Sequence, residues 1–456
     1  MLGLTGEPHT NGIERRSARS TFKALAVSIG LSVLFVVVYG WCNWITAQRH
    51  DVGTFYFEWE RFIPFVPLMI VPYLSIDLFF VAAPFLCRSE RELTTFSKRI
   101  VAAIVVAGIC FLLFPLRFAF ERPHASGWLG AAFDWFRGMD QPYNLLPSLH
   151  IALRTILAQH YARHTRGLLR SMSNVWFFLV GLSTLLTYQH HFMDVAAGFA
   201  LGVSCLYFIP ESAPHLPVIE NRRVGLYYAV AALILACLIV WFWPWGALLL
   251  WPALSLGIVA SAYFGLGPVI FRKVDGRLHW SARLILAPSL LGQRLSLLYY
   301  RRQCRPWDKV TPEVWIGRTL NHREAAVTTR LGVTAVLDLT AEFSEAKPFR
   351  TLIYRNIPIL DLTAPSIDQL REMAAFIDDE SRSGIVYIHC KIGYSRTAGA
   401  AAAYLLQTGK AGGVAEAIAL LRRVRPSIVV RPEAVSALSD FARGLNQCTE
   451  RRFYVG

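Results

Sequence analysis

Cys390 and Arg396 stand six positions apart in a short loop, and this pair has the residue types needed for chemistry on a phosphate group. The loop, residues 389–397, follows a short apolar run at 385–388 and precedes an alanine-rich run. A strand that turns sharply into a helix leaves the first helical N–H groups unpaired, and these donors together with the helix dipole form a phosphate cradle. The same field lowers the pKa of a cysteine at the mouth of the loop, so Cys390 is expected to be a thiolate at neutral pH.

Arg396 can bind two phosphate oxygens at once. Together, the thiolate and the guanidinium predict attack on a phosphate monoester through a cysteinyl-phosphate intermediate. The alternative interpretation is a buried structural cysteine beside an unrelated arginine. Four features favour the catalytic interpretation: the apolar strand, the glycine at the tight turn, the position of the arginine and the hydroxyl that follows it.

The loop resembles the signature loop of the protein tyrosine and dual-specificity phosphatase superfamily. The resemblance implies that Cys390 is the nucleophile, that Arg396 clamps the phosphate and that Thr397 supplies a hydroxyl that eases departure of the thiolate. It also implies that His389 tunes the pKa of the thiolate. The residues implied to contact the substrate are Lys391, Gly393 and Ser395.

A general acid is also needed, because the leaving alkoxide must be protonated. About thirty positions before the cysteine, where the superfamily carries its acid on a mobile loop, a turn-rich segment contains Asp361. Asp338, in another loop, is a rival, and a helix cap or a solvated loop is the non-catalytic interpretation of Asp361. With further matches at 315–317 and 425–428, the resemblance covers about residues 306–445, a sufficient length for one α/β domain with its own core.

The first three-fifths of the chain is dominated by long apolar runs. Over the whole chain 54% of the residues are hydrophobic and only 17% are charged, against about 25% charged in an average soluble protein. Several runs approach or exceed the roughly 20 residues needed to cross a bilayer, which favours membrane integration over a set of buried soluble helices. The run at 147–162 is the weakest of them because it carries Arg154. The predicted spans are 24–46, 62–86, 100–118, 147–162, 173–190, 194–210, 224–243 and 246–266.

The basic residues between the apolar runs alternate along the chain and indicate the membrane topology. They are concentrated before the first run, at 88–99, at 163–170, at 222–223 and from 272 onward. By the positive-inside rule, the N-terminus and everything after 272 are cytoplasmic. This side suits a catalytic thiolate, which needs a reducing compartment, and the 8 cysteines show no paired spacing that suggests disulfides or zinc.

The formal net charge of +15 does not indicate a nucleic-acid partner, because the excess lies in loops beside the apolar runs and in segment 271–305. That segment interleaves basic and apolar residues and is predicted to lie on an anionic membrane face. An ordinary packed linker helix is the alternative. The expected partners are membrane phospholipids and a lipid phosphate substrate, and neither a metal nor another cofactor is expected.

Three further clusters place ionisable residues at the ends of apolar runs, where they are costly and therefore suggest function. They lie at 117–123, at 147–150 and at 190–194. His190 and Asp194 are four positions apart, so they share a face if the segment is helical. An aspartate that holds an imidazole in one tautomer makes it a nucleophile or a base, and a second histidine can protonate a leaving group. Three chance polar islands at helix ends are the alternative.

In this order the clusters resemble the type 2 phosphatidic acid phosphatase superfamily, which includes the sphingolipid phosphotransferases. The resemblance implies that His190 takes up the phosphoryl group, that Asp194 orients it and that His150 is the acid. It further implies that Arg122 and Ser148 contact the phosphate.

This second resemblance has gaps. Pro115 stands where the hydrolase pattern has a lysine, and Thr184 stands where the pattern has an arginine. Arg117 or Arg154 is a candidate substitute for the missing cations. Transfer of a head group to a lipid acceptor is therefore as compatible with the pattern as hydrolysis of phosphatidic acid.

The sequence thus predicts a multidomain protein, in which an all-α polytopic membrane bundle is followed by an α/β cysteine-phosphatase domain. The predicted parts are a basic cytoplasmic N-terminus at 1–23, a membrane domain of about eight helices at 24–270, an amphipathic linker at 271–305 and the phosphatase domain at 306–456. We expect a bifunctional integral protein of a plasma or inner membrane that hydrolyses phosphate monoesters of phospholipids at the cytoplasmic face. The alternative is a membrane-anchored protein phosphatase whose membrane domain is a non-catalytic lipid sensor.

Overall fold

The computed structural model of the protein describes residues 18–139, 141–211 and 219–454. Most of the predicted basic N-terminus, residues 1–17, lies outside the described residues. The chain divides into two compact units, Met1–Ser212 and Ala213–Gly456. The division therefore falls well before residue 270, where the sequence places the end of the membrane domain.

The first unit is built from helices. They are α1 (Ala18–Ala47), α2 (Ile70–Ala82), α3 (Glu90–Leu113), α4 (Gly127–Met139), α5 (Leu149–His164), α6 (Gly167–Leu186) and α7 (Phe192–Phe208). Helices α5 and α7 approach each other closely at Gly198, where an added Cβ would lie 2.3 Å from the carbonyl oxygen of Ser148. A glycine is required for two backbones to come so near. This contact brings together the first turns of α5 and α7, which carry His150 and Asp194.

The second unit begins with a helical hairpin. Helix α8 (Arg222–Trp241) packs against α9 (Leu250–Ser261), which continues through helical turns at Ala262–Leu266 and Gly267–Phe271. We call residues 222–271 the hairpin. The segment after it contains strands β1 (Lys273–Val274) and β2 (Arg277–Leu278) and helices α10 (Trp280–Ile285) and α11 (Ala287–Tyr300).

One basic residue of this segment is not available to a membrane surface. The side chain of Lys273 is only 3% exposed, and its Nζ lies 2.5 Å from a carboxylate oxygen of Asp338. Burial of a lysine in an ion pair is compatible with a packed linker and not with an exposed amphipathic surface. For Lys273 the prediction of a membrane-facing cation is therefore wrong.

The rest of the second unit is an α/β domain around one sheet. Its strands are β3 (Trp307–Lys309), β4 (Val314–Arg318), β5 (Val333–Thr340), β6 (Ile353–Ile359) and β7 (Ile385–Cys390), in the order β3-β4-β7-β5-β6. Strand β3 is antiparallel to β4, and the other pairs are parallel. The helices are α12 (His322–Arg330), α13 (Ile367–Ser381), α14 (Arg396–Gln407), α15 (Val414–Val424) and α16 (Pro432–Tyr454).

Strand β7 lies in the middle of the sheet and is covered on both faces, which is why its residues form a continuous apolar run. On one face it meets α13 and α14, and the buried alanines of α14 let that helix pack closely. The predicted order of a helix-rich region followed by an α/β domain is confirmed.

Six helices in the described ranges are long and apolar enough to cross a membrane. They are Ser20–Ala47, Pro67–Leu86, Glu90–Leu113, Gly167–Leu186, Arg222–Trp241 and Trp245–Phe271. The other two predicted spans coincide with α5 and α7, which have only 16 and 17 residues. The number of eight spans therefore stays a prediction, and the sequence did not predict α4.

Candidate active sites

Cys390 is the last residue of β7 and is only 2% exposed. Its carbonyl oxygen accepts hydrogen bonds from the N–H and the hydroxyl of Thr319, at 2.8 and 3.1 Å. The following loop turns at Gly393, whose φ is +73° and where an added Cβ would lie 2.5 Å from the carbonyl oxygen of Gly317. Helix α14 then begins at Arg396. The structure thus contains the strand, turn and helix that the sequence predicts around the cysteine.

The thiol of Cys390 has a pKa below its ordinary value. Burial alone would raise this pKa, but the charge of Arg396 and hydrogen bonds from the side chain and backbone of Thr397 outweigh it. Charge and hydrogen bonding favour the thiolate because both act on the ionised form. A lowered pKa increases the share of the thiolate, which is the nucleophilic form of a cysteine.

Arg396 is held in place by carboxylates and carbonyl groups. Its guanidinium nitrogens lie 2.8 and 3.2 Å from the two oxygens of Glu342, and Nη1 donates to the carbonyl oxygen of Ile359 at 2.9 Å. Burial opposes the charge, but Glu342 and Asp361 raise the pKa of Arg396 well above its ordinary value. The bidentate pair fixes the plane of the guanidinium. Glu342 was not predicted from the sequence, and it lies 54 positions before Arg396.

Asp361 lies just after β6 and faces two cations of the loop. Its Oδ1 is 3.2 Å from Nη2 of Arg396, and its Oδ2 is 3.3 Å from Nζ of Lys391. Burial raises the pKa of this carboxyl, but Arg396 and Lys391 lower it further, so the carboxylate is ionised in this arrangement. A phosphate dianion bound by the same cations would add negative charge beside Asp361 and favour its protonated form.

Asp338, the alternative general acid, is fully buried and bonded at both oxygens. One oxygen accepts from Lys273 and from the hydroxyl of Tyr354, and the other accepts from the N–H and hydroxyl of Thr340. Burial opposes its ionisation, but the charges of Lys273 and His389 hold the pKa of Asp338 well below its usual range. A carboxylate held in this way has no proton to donate. The geometry therefore favours Asp361.

His389 precedes the cysteine and lies in the same buried ionic cluster. Its Nε2 is 2.7 Å from a carboxylate oxygen of Glu345 and 3.8 Å from one of Asp338. Burial lowers the pKa of His389, but these two carboxylates raise it above its ordinary value. Among the groups that shift the pKa of the thiol, Arg396 and Thr397 are the leading ones, so tuning by His389 stays a prediction.

The far side of the loop is supported by Arg425, from the matching segment at 425–428. Its guanidinium donates to the carbonyl oxygens of Ile392 and Arg305, both at 3.1 Å, and to a carboxylate oxygen of Asp308 at 2.7 Å. A buried arginine with three such partners fixes the backbone it contacts. The loop is therefore held from both sides before any substrate binds.

The first unit contains a second arrangement of predicted residues. His150 and His190 line one cavity of about 350 Å³, together with apolar residues of α1 and α2. Nδ1 of His190 lies 3.8 Å from a carboxylate oxygen of Asp194. The N–H of Ser148 donates to the carbonyl oxygen of Asp194 at 2.9 Å, and its hydroxyl caps α5. The structure thus brings four of the six residues predicted for this site to the facing ends of α5 and α7.

The predicted phosphate-binding arginines differ in their placement. Nε of Arg122 donates to the carbonyl oxygen of Tyr188 at 3.1 Å, and its guanidinium lies over the ring of Phe118. The side chain of Arg117 is exposed. Arg154, the other candidate substitute, donates to the carbonyl oxygen of Phe177 at 2.5 Å.

His191 and Glu60 have no role predicted from the sequence. Both are buried, and Nδ1 of His191 lies 3.0 Å from a carboxylate oxygen of Glu60. Nε2 of His191 accepts from the N–H of Ala119 at 3.1 Å, so Nδ1 carries the proton that is shared with Glu60. The N–H of His191 donates to Asp194 at 2.8 Å. This network fixes the start of α7, and because His191 and Glu60 lie 131 positions apart, no local sequence pattern predicts their contact.

Two groups of His and acidic residues in the described part of the chain are close enough to hold a metal ion. They are Glu92, His160 and His164, and Asp338, Glu345 and His389. In each group the ionisable side chains already pair with one another. The expectation of a reaction without a metal stays a prediction.

Protein-family models match both the helix-rich region and the α/β domain. A family described as "Dual specificity phosphatase, catalytic domain" matches residues 314–444, and one described as "PAP2 superfamily" matches residues 66–208. The first match contains the loop with Cys390, and the second contains His150 and His190.

Two individual proteins similar to the chain each align with less than half of it. The "Phosphatidylglycerophosphate phosphatase PTPMT2" of Arabidopsis thaliana is 27% identical over 184 residues, which are 38% of this chain and 77% of that protein. The human "Phosphatidylglycerophosphatase and protein-tyrosine phosphatase 1" is 27% identical over 172 residues, which are 35% of this chain and 85% of that protein. A crystal structure of PTPMT1 in complex with PI(5)P is 21% identical and covers 32% of this chain and 99% of its own, with a TM-score of 0.29. The chain is a phosphoric monoester hydrolase in which residues 66–208 match the PAP2 superfamily and residues 314–444 match the dual-specificity phosphatase catalytic domain.

Proposed function

We propose that this protein is a membrane-bound phosphatase that hydrolyses phosphate monoesters of phospholipids through a cysteinyl-phosphate on Cys390. The observation that carries the proposal is that Arg396 interacts with both other catalytic groups: it lowers the pKa of the Cys390 thiol and contacts Asp361. Nucleophile, phosphate ligand and acid therefore converge on one guanidinium, as phosphoryl transfer requires.

The reaction proceeds in two steps. In the first, Sγ of Cys390 attacks phosphorus, the bond from phosphorus to the ester oxygen breaks, and Asp361 gives its proton to the leaving alkoxide. In the second, a water molecule gives a proton to the Asp361 carboxylate and attacks phosphorus, the sulfur–phosphorus bond breaks, and inorganic phosphate departs. The hydroxyl of Thr397 stabilises the thiolate as it leaves. Arg396 and the N–H groups at the start of α14 bind the phosphoryl oxygens in both steps.

A phospholipid substrate is supported by the membrane anchor and by the similar proteins. Six helices of the described chain are suited to a bilayer, and a tethered enzyme meets membrane-borne substrates at a raised effective concentration. The two curated relatives are named for phosphatidylglycerophosphate. Lys391 adds a cation beside the phosphate site. We place this domain in the cytoplasm because of the basic residues on the segments that flank the hairpin.

A second activity, lipid phosphatase or phosphotransferase, is supported by the cavity that contains both His150 and His190. Its lining is mostly apolar, as expected for a lipid chain, and the two histidines are among its polar groups, with Asn43, Asp77 and Asn144. In this proposal His190 takes up the phosphoryl group, Asp194 orients it and His150 protonates the leaving oxygen, while Ser148, Arg122 and Arg117 are the candidate phosphate contacts.

Phosphate release from phosphatidylglycerophosphate in vesicles tests both activities in the full-length protein. Cys390→Ser should lower the rate at the phosphatase domain by at least about a thousandfold, because no other group of that site supplies the nucleophile, whereas Cys304→Ser, a matched control, should leave it unchanged. Any residual lipid turnover in Cys390→Ser should disappear when His190→Ala is added.

Full activity of Cys390→Ser on this lipid would contradict the cysteine mechanism. A higher kcat/KM of the wild-type protein on a phosphotyrosyl peptide than on the lipid would instead favour the protein-phosphatase alternative. If His190→Ala leaves the residual turnover intact, the second site is not catalytic.

A further inference from the structure

The hairpin contacts the loop that carries Asp361. The hydroxyl of Tyr263, near the end of the hairpin, donates to the carbonyl oxygen of Asp361 at 2.9 Å. The side-chain amide of Asn221, at the start of the hairpin, donates to the carbonyl oxygen of Leu362 at 2.8 Å. The N–H of Asn221 also donates to the carbonyl oxygen of Tyr263 at 3.1 Å, so the two ends of the hairpin are joined to each other.

These two hydrogen bonds fall on a strained part of the loop. Leu362 has a φ of +63°, in the left-handed region that branched and bulky side chains disfavour. Such a conformation persists only where the surroundings impose it. The donors from Tyr263 and Asn221 bind the two consecutive carbonyl groups at this point, and they therefore hold the loop in the conformation that directs Asp361 toward Arg396.

A third contact reaches the same carboxylate through Lys391. Nζ of Lys391 donates to Oε1 of Gln293, on α11, at 2.7 Å and to Oδ2 of Asp361 at 3.3 Å. The amide nitrogen of Gln293 lies 3.3 Å from the hydroxyl of Tyr228, on α8, and the ring of Tyr228 stacks on that of Tyr263 at 5.7 Å. The hairpin and α11 thus form one connected hydrogen-bonded and stacked support for the acid.

We propose that Tyr263, Asn221 and Gln293 are positioning residues of the phosphatase site, through which the membrane hairpin sets the place of Asp361. The inference rests on the proposed role of Asp361 as general acid. Both helices of the hairpin are long and apolar enough to cross a bilayer, and their contacting ends lie beside the loop. Asp361 is then positioned at the point where the hairpin emerges from the membrane. Lipid head groups lie at the same level, so the leaving group of a lipid substrate can be protonated there.

Two substrates with different leaving groups distinguish a displaced general acid from a general loss of activity. An alkyl ester needs protonation of its leaving oxygen, whereas p-nitrophenolate departs without it. In the full-length protein, Tyr263→Phe should lower kcat on a soluble short-chain phosphatidylglycerophosphate about tenfold, with KM nearly unchanged, because the acid is displaced and not removed. On p-nitrophenyl phosphate the same variant should stay within about twofold of the wild type.

Asn221→Asp provides an independent variant, because its Oδ1 can still cap α8 at Val224 while the donor to Leu362 is lost. It should shift the ratio of the two rates in the same direction. Tyr227→Phe is the matched control. Tyr227 lies on α8 and is 60% exposed, and its hydroxyl accepts a hydrogen bond from Nε of Arg223. This control should leave both rates unchanged.

An equal loss on both substrates, or an unchanged ratio in both Tyr263→Phe and Asn221→Asp, overturns the positioning role. That outcome is separable from failure of the proposed function, because Cys390→Ser should abolish both rates whether or not the hairpin positions the acid. If Cys390→Ser retains the rates on both substrates, the proposed cysteine mechanism itself is wrong.

Discussion

At the scale of single residues, the central feature is a buried thiol whose environment is dominated by positive charge. Cys390 is almost fully enclosed, which alone would keep it protonated. Arg396 and Thr397 reverse that effect, and Asp361 opposes them because its carboxylate lies beside the same guanidinium. The lowered pKa favours the thiolate, which is the reactive form of the cysteine.

This balance predicts the pH dependence of alkylation. The inactivation rate with iodoacetamide should rise with pH to a plateau, with a midpoint below 9.0, the ordinary value for a cysteine thiol, because only the thiolate reacts and its pKa is lowered. Thr397→Ala should move the midpoint upward, since one hydrogen bond to the thiolate is lost. Thr408→Ala, which removes a hydroxyl at the other end of α14, should not move it. A wild-type midpoint at or above 9.0 would contradict this account of the site.

At the scale of elements, strand β7, the loop and helix α14 act as one unit. This unit requires a glycine at position 393, because the φ of Gly393 is +73° and a side chain there would collide with the backbone at Gly317. The turn directs the N–H groups of α14 into the loop. Loss of the turn would therefore remove the phosphate cradle and not only a local contact.

Gly393→Ala is expected to destabilise the protein and to abolish phosphatase activity. Gly409→Ala is the matched control, since Gly409 has a similar φ of +68° but open space around it. The control should cost about 1 kcal/mol, the penalty of the left-handed conformation, and should leave activity intact. Gly393→Ala should cost more, because strain and collision add. Thermal unfolding of both variants measures this difference, and equal melting temperatures with equal activities would contradict it.

The parts of the site that local sequence could predict are those built from consecutive residues. Strand, turn and helix around Cys390 follow from an apolar run, one glycine and a run of alanines, so these elements were predictable. The groups that hold the side chains come from far away in the chain: Glu342 is 54 positions from Arg396, and Lys273 is 65 positions from Asp338. Single-sequence periodicity contains no information about such pairs. The same reason explains why the hydrogen bond between His191 and Glu60 was not predicted.

At the scale of the whole molecule, each compact unit carries one candidate phosphoryl site. The first contains the cavity with His150 and His190, and the second contains Cys390 together with the hairpin. Because the hairpin belongs to the unit of the phosphatase domain, that domain is not a soluble module attached by a free linker. The two candidate membrane helices of the hairpin contact this domain, and we expect such an arrangement for a substrate that is itself part of the membrane.

The most direct test of this account is to identify the residue that carries the phosphoryl group during turnover. Full-length protein in excess over phosphatidylglycerophosphate in vesicles, quenched within one turnover, should carry phosphate on Cys390, as located by mass spectrometry of the peptide that contains it. Cys390→Ser should carry none at this position. The account would be contradicted if the wild-type protein releases phosphate from the lipid while Cys390 remains unmodified throughout the turnover, or if His190 carries all of the label.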